Sequence, residues 1–180
     1  ASQVGWAGAG QKIDSVTDAE ARQAGEIVED DGESHNRIIS FLELMDEWFR
    51  EGRLKVDPSR VADRVTLHDP CNLVRQGGVS EPQRAILRRC VTDFVEMTPN
   101  RAENFCCGGG GGQLAMSRYR QKRLQSGGVK AEQIRATGAR VVVAPCHNCL
   151  DQLLELNREY KLNVVLKTVA EVVADALVFE

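Results

Sequence analysis

Five of the six cysteines in this 180-residue chain stand in one pattern: a lone Cys71, the adjacent pair Cys106-Cys107, and a closing Cys146-x-x-Cys149. The first interval holds 34 residues and the second 38, and five consecutive glycines, Gly108 to Gly112, follow the pair directly. A CxxC by itself serves zinc sites, dithiol redox centres and haem attachment alike. A four-coordinate zinc has no need of a fifth thiol. Soft thiolates in this number suit an iron-sulfur centre, although they also hold zinc.

The glycine run adds to that reading. Gly108, Gly109 and Gly110 let backbone N–H groups approach a negatively charged centre without Cβ obstruction, and the N-terminus of a following helix adds favourable potential. A nucleotide-phosphate loop is the competing interpretation, but the run lacks a GK[ST] ending and is preceded by Phe105-Cys106-Cys107. Cys146-His147-Asn148-Cys149 also fits a thioredoxin-type dithiol, which needs one thiolate of lowered pKa and a resolving partner. Cys90 falls outside the pattern, beside Ile86 and Leu87, and reads as a buried structural thiol. His68 either orients the Cys71 segment, satisfies the backbone, or gives a proton during reduction, which makes it the one candidate for a catalytic role. His147 either tunes a neighbouring sulfur or faces solvent. The basic cluster Arg118, Arg120, Lys122 and Arg123 reads as a solvated helix face.

The elements that must position these residues alternate between strand and helix. Ile38, Phe41, Leu42, Met45, Trp48 and Phe49 recur at helical spacing up to Gly52, with His35 at the start as a cap or surface residue. Val61 to Leu67 reads as a strand that Asp69-Pro70 breaks, delivering Cys71 on a loop. Helix follows from Glu81 to Cys90, strand from Asp93 to Met97, helix from Gln113 to Gln125, and a separate helix from Lys130 to Thr137. Val141 to Ala144 forms a buried strand ending just before Cys146, and helix 148–160, strand 163–166 and helix 168–177 complete the chain. This alternation predicts an α/β fold, a Rossmann-like parallel sheet with helices on both faces. Loops after the carboxyl ends of such strands share one crevice, where Cys71 and Cys146 can meet.

Composition fits one substantial core, with 42% apolar residues. The net charge of −3 gives no broad electrostatic reason to bind nucleic acid, and no apolar run approaches the roughly 20 residues of a membrane span. Residues 1–34 are set apart as an acidic flexible or partner-supported arm: from Asp14 to Glu33 acidic residues outnumber the single Arg22, and Gly5, Gly8, Gly10, Gly25 and Gly32 interrupt regularity. Residues 35–180 form the cysteine-rich domain. Many thiols without a visible secretory signal suit a reducing, cytoplasmic compartment.

The segments His68-Asp69-Pro70-Cys71-Asn72-Leu73-Val74-Arg75, Phe105-Cys106-Cys107-Gly108 to Gly112, and Ala144-Pro145-Cys146-His147-Asn148-Cys149 resemble the CCG domain of heterodisulfide-reductase-like iron-sulfur subunits. The resemblance covers about residues 35 to 178. Such subunits usually carry two CCG units, so a chain with one, lacking an initiator Met, resembles the C-terminal half of a longer subunit, with a slight leaning to the membrane redox complexes of sulfate reducers. The resemblance implies a [4Fe-4S] cluster of noncubane type, with Cys71, Cys106, Cys107, Cys146 and Cys149 as ligands and a disulfide reduced in two one-electron steps. It implies as partners other iron-sulfur subunits and a membrane cytochrome subunit, with a small-molecule or small-protein disulfide as substrate. Any membrane association then runs through those partners. The alternative is a non-catalytic module, zinc-binding or electron-relaying, that joins larger subunits.

Overall fold

The computed structural model describes residues 39–179. The compact unit that holds the cysteines begins at Phe41. The acidic arm expected over residues 1–34, along with His35 and Ile38, lies outside the described residues.

Four strands, β1 (Val65–Leu67), β2 (Phe94–Val95), β3 (Val141–Val143) and β4 (Val165–Lys167), form one sheet in the order β2-β1-β3-β4. Every pairing is parallel, with Val65 opposite both Phe94 and Val141, and Val141 opposite Val165. Among the described residues five helices surround it: α1 (Phe41–Arg50), α2 (Pro82–Cys90), α3 (Arg120–Thr137), α4 (His147–Glu159) and α5 (Val169–Ala176).

Successive strand residues point to opposite faces, so one run of valines can feed two cores. Val65, Leu67, Val141 and Val143 pack with Leu42, Met45 and Phe49 of α1, Ile86 and Leu87 of α2, and Val169, Val172 and Val173 of α5. Val142 and Ala144 turn the other way, toward Leu124 and Ile134 of α3 and Leu153 and Leu156 of α4. Full burial of one such aliphatic side chain contributes roughly 1.5–3 kcal/mol, which makes the double-sided β3 the mechanical centre of the domain. The expected parallel sheet covered on both faces is therefore present.

Strand order also locates a crevice. From β1 the chain moves to β2 on one side, and from β3 it moves to β4 on the other. The carboxyl ends of β1 and β3 thus flank the point where the winding reverses, the usual position of a binding crevice in open α/β sheets. Cys71 follows β1 by four residues and Cys146 follows β3 by three.

Several local expectations are corrected. The strand expected from Val61 begins only at Val65, because Asp57 caps a 3-10 turn at Pro58–Arg60 by accepting the Ser59 N–H, and Ala62 to Arg64 run exposed. Cys71 lies at the head of a short helical turn continuing as the π-helical Asn72–Gln76, not on an open loop. Two short 3-10 turns, Gly111–Ala115 and Ser117–Tyr119, replace the start of the helix expected from Gln113. The two helices expected on either side of Gly127-Gly128 are one 18-residue helix, α3. Glycine there serves packing: a Cβ on Gly127 would stand 2.7 Å from the Cys107 carbonyl oxygen and 2.7 Å from a Leu156 methyl.

Candidate metal centre

Four of the five cysteines converge at the reversal point. The Cys71 side chain reaches the Cys106 sulfur, Cys106 reaches Cys107, and the Cys107 thiol donates to Cys149 Sγ at 3.5 Å. Cys107 and Cys149 are buried, Cys71 half-buried and Cys106 exposed, so the string runs from surface to interior. All six thiols are free. Cys146, half-buried, stands at the N-cap position of α4, three residues before Cys149, and packs against the core cluster that includes Cys107 and Cys149.

The Cys106 and Cys107 thiols are held in their neutral form. Hydrogen bonding to Cys107, then burial, pushes the Cys106 thiol far up. Cys107 is drawn down by Cys106, but Cys149 and burial outweigh this and leave it pushed up to about 12. Such thiols shed protons when a cation arrives among them, which couples metal binding to proton release.

Backbone geometry prepares the same spot. The Gly108 N–H donates to Cys106 Sγ at 3.4 Å, and the Gly109 N–H acts on the Cys107 sulfur in the same sense. Gly108 has φ +84°, and a Cβ there would meet the Arg123 carbonyl oxygen and the Gly127 nitrogen at 2.9 Å. Gly109 packs with its Cα side toward Gln152 and the Cys107 sulfur. Of the three glycines expected near the site, Gly108 and Gly109 touch it directly, while Gly110, at φ +65°, turns the chain away into Gly111–Ala115.

His68 is the side chain that spacing alone understated. It follows β1, donates its backbone N–H to Val143 O at 2.8 Å, and is 1% exposed. One of its ring nitrogens and the sulfurs of Cys107 and Cys149 all lie within 4.8 Å of one another. Neither ring nitrogen has a hydrogen-bond partner among the described residues. Burial, then the charge on Lys130, keeps the imidazole's pKa well below its ordinary value, so the ring is neutral.

A buried polar frame fixes the two segments that carry the surface end of the thiol string. Arg84, fully buried on α2, grips Asp69 with two hydrogen bonds of 2.8 and 2.6 Å and Glu96 with two of 2.8 and 3.0 Å. Asp69 also accepts the Arg101 backbone N–H at 2.6 Å, and its own carbonyl accepts from Asn104 Nδ2 at 2.6 Å. Arg75 donates to the carbonyls of Ala102 and Asn104. The Cys71 turn and the 101–104 approach to Cys106 are thus tied to each other before any metal enters. Lys130 of α3, 1% exposed, donates to Asn104 Oδ1 at 2.9 Å and to Gln133 Oε1. Burial pushes it down to about 8, against the pull of Asp69 and of Cys107, Cys106 and Cys149. It places a cation beside the thiols, a group no motif announced.

The remaining sequence candidates sort readily. Cys90 is buried in the α1/α2/α5 core, where burial pushes its thiol up to about 11, as expected of a structural thiol. His147 is largely exposed, 3.7 Å from Asp151. Arg123 departs from the expected solvated face: it is buried, bonded to Gln152 and Glu155, while Arg120 pairs with Glu155 from outside. No described helix is long and apolar enough to cross a membrane.

A thiol string at the reversal point of a parallel sheet, with amide donors on its sulfurs, defines a cysteine-rich metal-binding type of α/β domain. The chain belongs to the CCG cysteine-rich domain family, whose model matches residues 65–154. It is 36% identical over 61% of its length to a probable membrane-anchored ferredoxin of Chromohalobacter salexigens, of which it covers 16%. It is 30% identical over 78% of its length to an Hdr-like menaquinol oxidoreductase iron-sulfur subunit of Archaeoglobus profundus, of which it covers 26%. It is 29% identical over 79% of its length to a dihydromethanophenazine:CoB--CoM heterodisulfide reductase subunit of Methanosarcina mazei, of which it covers 34%. The chain therefore spans about a third or less of each of these relatives. No solved structure matches it.

Proposed function

We propose that this chain is an iron-sulfur domain of a redox subunit, carrying electrons to a disulfide in the manner of heterodisulfide reductases. The observation that carries this reading is the continuous thiol string Cys71, Cys106, Cys107, Cys149, with Cys146 one helical turn from its inner end. Five thiols outnumber the ligands of a mononuclear zinc and suit a multinuclear cluster, taken here as a noncubane [4Fe-4S] held by Cys71, Cys106, Cys107, Cys146 and Cys149. When bound, such a cluster supplies one-electron steps. The protein's own contribution is to exclude water from Cys107 and Cys149, hold Cys106 and Cys107 with the amides of Gly108 and Gly109, and set Lys130 against the accumulated negative charge. Relatives named as iron-sulfur and heterodisulfide reductase subunits support the same chemistry. The partners are then other iron-sulfur subunits and a membrane cytochrome subunit, with the domain on the cytoplasmic side, associated with the membrane through them.

Changing Cys71, Cys106, Cys107, Cys146 or Cys149 singly to Ser is expected to bring iron and acid-labile sulfide to a small fraction of the wild-type content, whereas Cys90→Ser retains it. Iron and sulfide assays on oxygen-free protein check this, and full iron content in the Cys146→Ser variant would remove that residue from the ligand set.

Lys130 provides a second expected result. Removing a buried cation beside the centre disfavours added negative charge, so Lys130→Met should lower the reduction potential by on the order of 1 kcal/mol per electron, roughly 40 mV. Exposed Lys122→Met should leave it unchanged within error. A redox titration followed by electron paramagnetic resonance compares the two.

A zinc-binding assembly module is the second reading, favoured by one observation: His68, Cys107 and Cys149 alone already form a compact set of zinc-compatible donors.

A further inference from the structure

His68 presents a buried imidazole with no hydrogen-bond partner on either nitrogen among the described residues. An unsatisfied buried donor costs roughly 1–3 kcal/mol, so such a group calls for an explanation in what the site holds. Its one placed neighbourhood of suitable chemistry is the pair of sulfurs at the inner end of the string, Cys107 and Cys149, which lie with a ring nitrogen inside a 4.8 Å set.

Two contacts are available to a neutral imidazole there: its lone pair on a metal, or its N–H on a sulfur. Histidines that ligate metals almost always donate their other ring N–H to a carboxylate, a carbonyl or water, which fixes the tautomer. Here the other nitrogen has no such acceptor among the described residues. Ligation would therefore leave an N–H with no protein acceptor among the described residues, on a side chain only 1% exposed. Donation of the N–H toward sulfur leaves only an unused lone pair.

We propose that His68 is a hydrogen-bond donor to the sulfur of the centre held at Cys107 and Cys149, and that it raises the reduction potential of that centre. This rests on the iron-sulfur reading above and assigns within it a residue outside the cysteine pattern. The donor acts as a positioning and tuning residue. A hydrogen bond to a thiolate or sulfide sulfur stabilises the negative charge added on reduction, as amide donors to cluster sulfurs do. The fold delivers it without a loop: the His68 backbone is already bonded to β3 through Val143 O, so the ring is anchored where β1 and β3 diverge.

The test uses oxygen-free, cluster-loaded protein with 15N-labelled histidine, assayed for iron and examined by pulsed electron paramagnetic resonance and redox titration. The chain has three histidines, and the expected result is a weak histidine nitrogen coupling that survives the joint change of His35→Gln and His147→Gln and vanishes in His68→Leu, together with a shift to lower potential in His68→Leu. Because the coupling is read in the unmutated histidine background, it stands even if His68→Leu fails to fold. Iron at cluster stoichiometry with no histidine coupling would overturn the assignment of His68 and leave the iron-sulfur reading intact. A strong coupling characteristic of direct ligation would overturn the donor role. Protein that takes up zinc and no iron would overturn the iron-sulfur reading and the proposal with it.

Discussion

Arg84→Met is expected to destabilise the domain by about 3–5 kcal/mol, the usual effect of removing one partner from a buried ion pair. The substitution is nearly volume-conserving, so packing is a small part of the loss. What it removes is the cation gripping Asp69, which is 1% exposed, and the bidentate partner of Glu96. Asp69 would be left as a buried carboxylate with the Arg101 amide as its remaining donor among the described residues. The consequence reaches the thiols, since Asp69 joins the Cys71 turn to residues 101–104 just before Cys106. Urea denaturation followed by circular dichroism should show the lost stability, and metal loading should fall alongside it. Arg88→Ala, which removes a half-exposed arginine 3.8 Å from the same Glu96, should cost no more than about 1 kcal/mol. Equal losses in the two variants would mean that the buried frame is not what ties these segments together.

Gly127→Ala should reverse the usual sign of a glycine-to-alanine change in a helix. In an ordinary helix interior alanine is favoured over glycine by roughly 0.5–1 kcal/mol. At Gly127 the new methyl would press on the Cys107 carbonyl oxygen and on Leu156, both at 2.7 Å. The backbone carbonyl cannot yield without moving the cysteine pair, and Leu156, fully buried, has to repack; overpacking of this kind typically costs about 1–3 kcal/mol. Gly108→Ala should be at least as damaging, because the clash is joined there by a left-handed φ of +84°. Gly112→Ala meets open space and should be neutral within about 0.5 kcal/mol. Metal content of the three variants should follow the same order. If Gly112→Ala damages loading as much as Gly108→Ala, the glycine run acts as a whole and the close approach of Gly108 to α3 is not its reason.

The sequence made some of this legible because the signals were local. Apolar runs such as Val141-Val142-Val143 declare a strand buried on both sides, and the alternation of strands with amphipathic helices declares a parallel sheet. Cys71 and Cys146 directly follow strands, which is enough to bring them to one sheet edge. Other features were illegible for physical reasons. Gly127-Gly128 reads as a helix break when only intrinsic propensity is considered, and the close carbonyl that requires glycine comes from Cys107, far back along the chain. Lys130 and Arg123 look like solvated charges, since nothing in their neighbours along the chain shows that Asn104 and Gln152 come to meet them. The importance of His68 is likewise a property of burial: its motif places it near Cys71, but only the fold shows it against Cys107 and Cys149 with neither nitrogen partnered among the described residues.

The central claim is that these thiols hold an iron-sulfur centre, and the most direct measurement is iron, acid-labile sulfide and zinc per chain, with electron paramagnetic resonance, on protein prepared without oxygen. The account predicts iron and sulfide in equal amounts near cluster stoichiometry, a paramagnetic signal that responds to added thiol, and loss of both in the Cys107→Ser variant. One zinc per chain, with neither iron nor sulfide, would contradict it and make the domain a structural module.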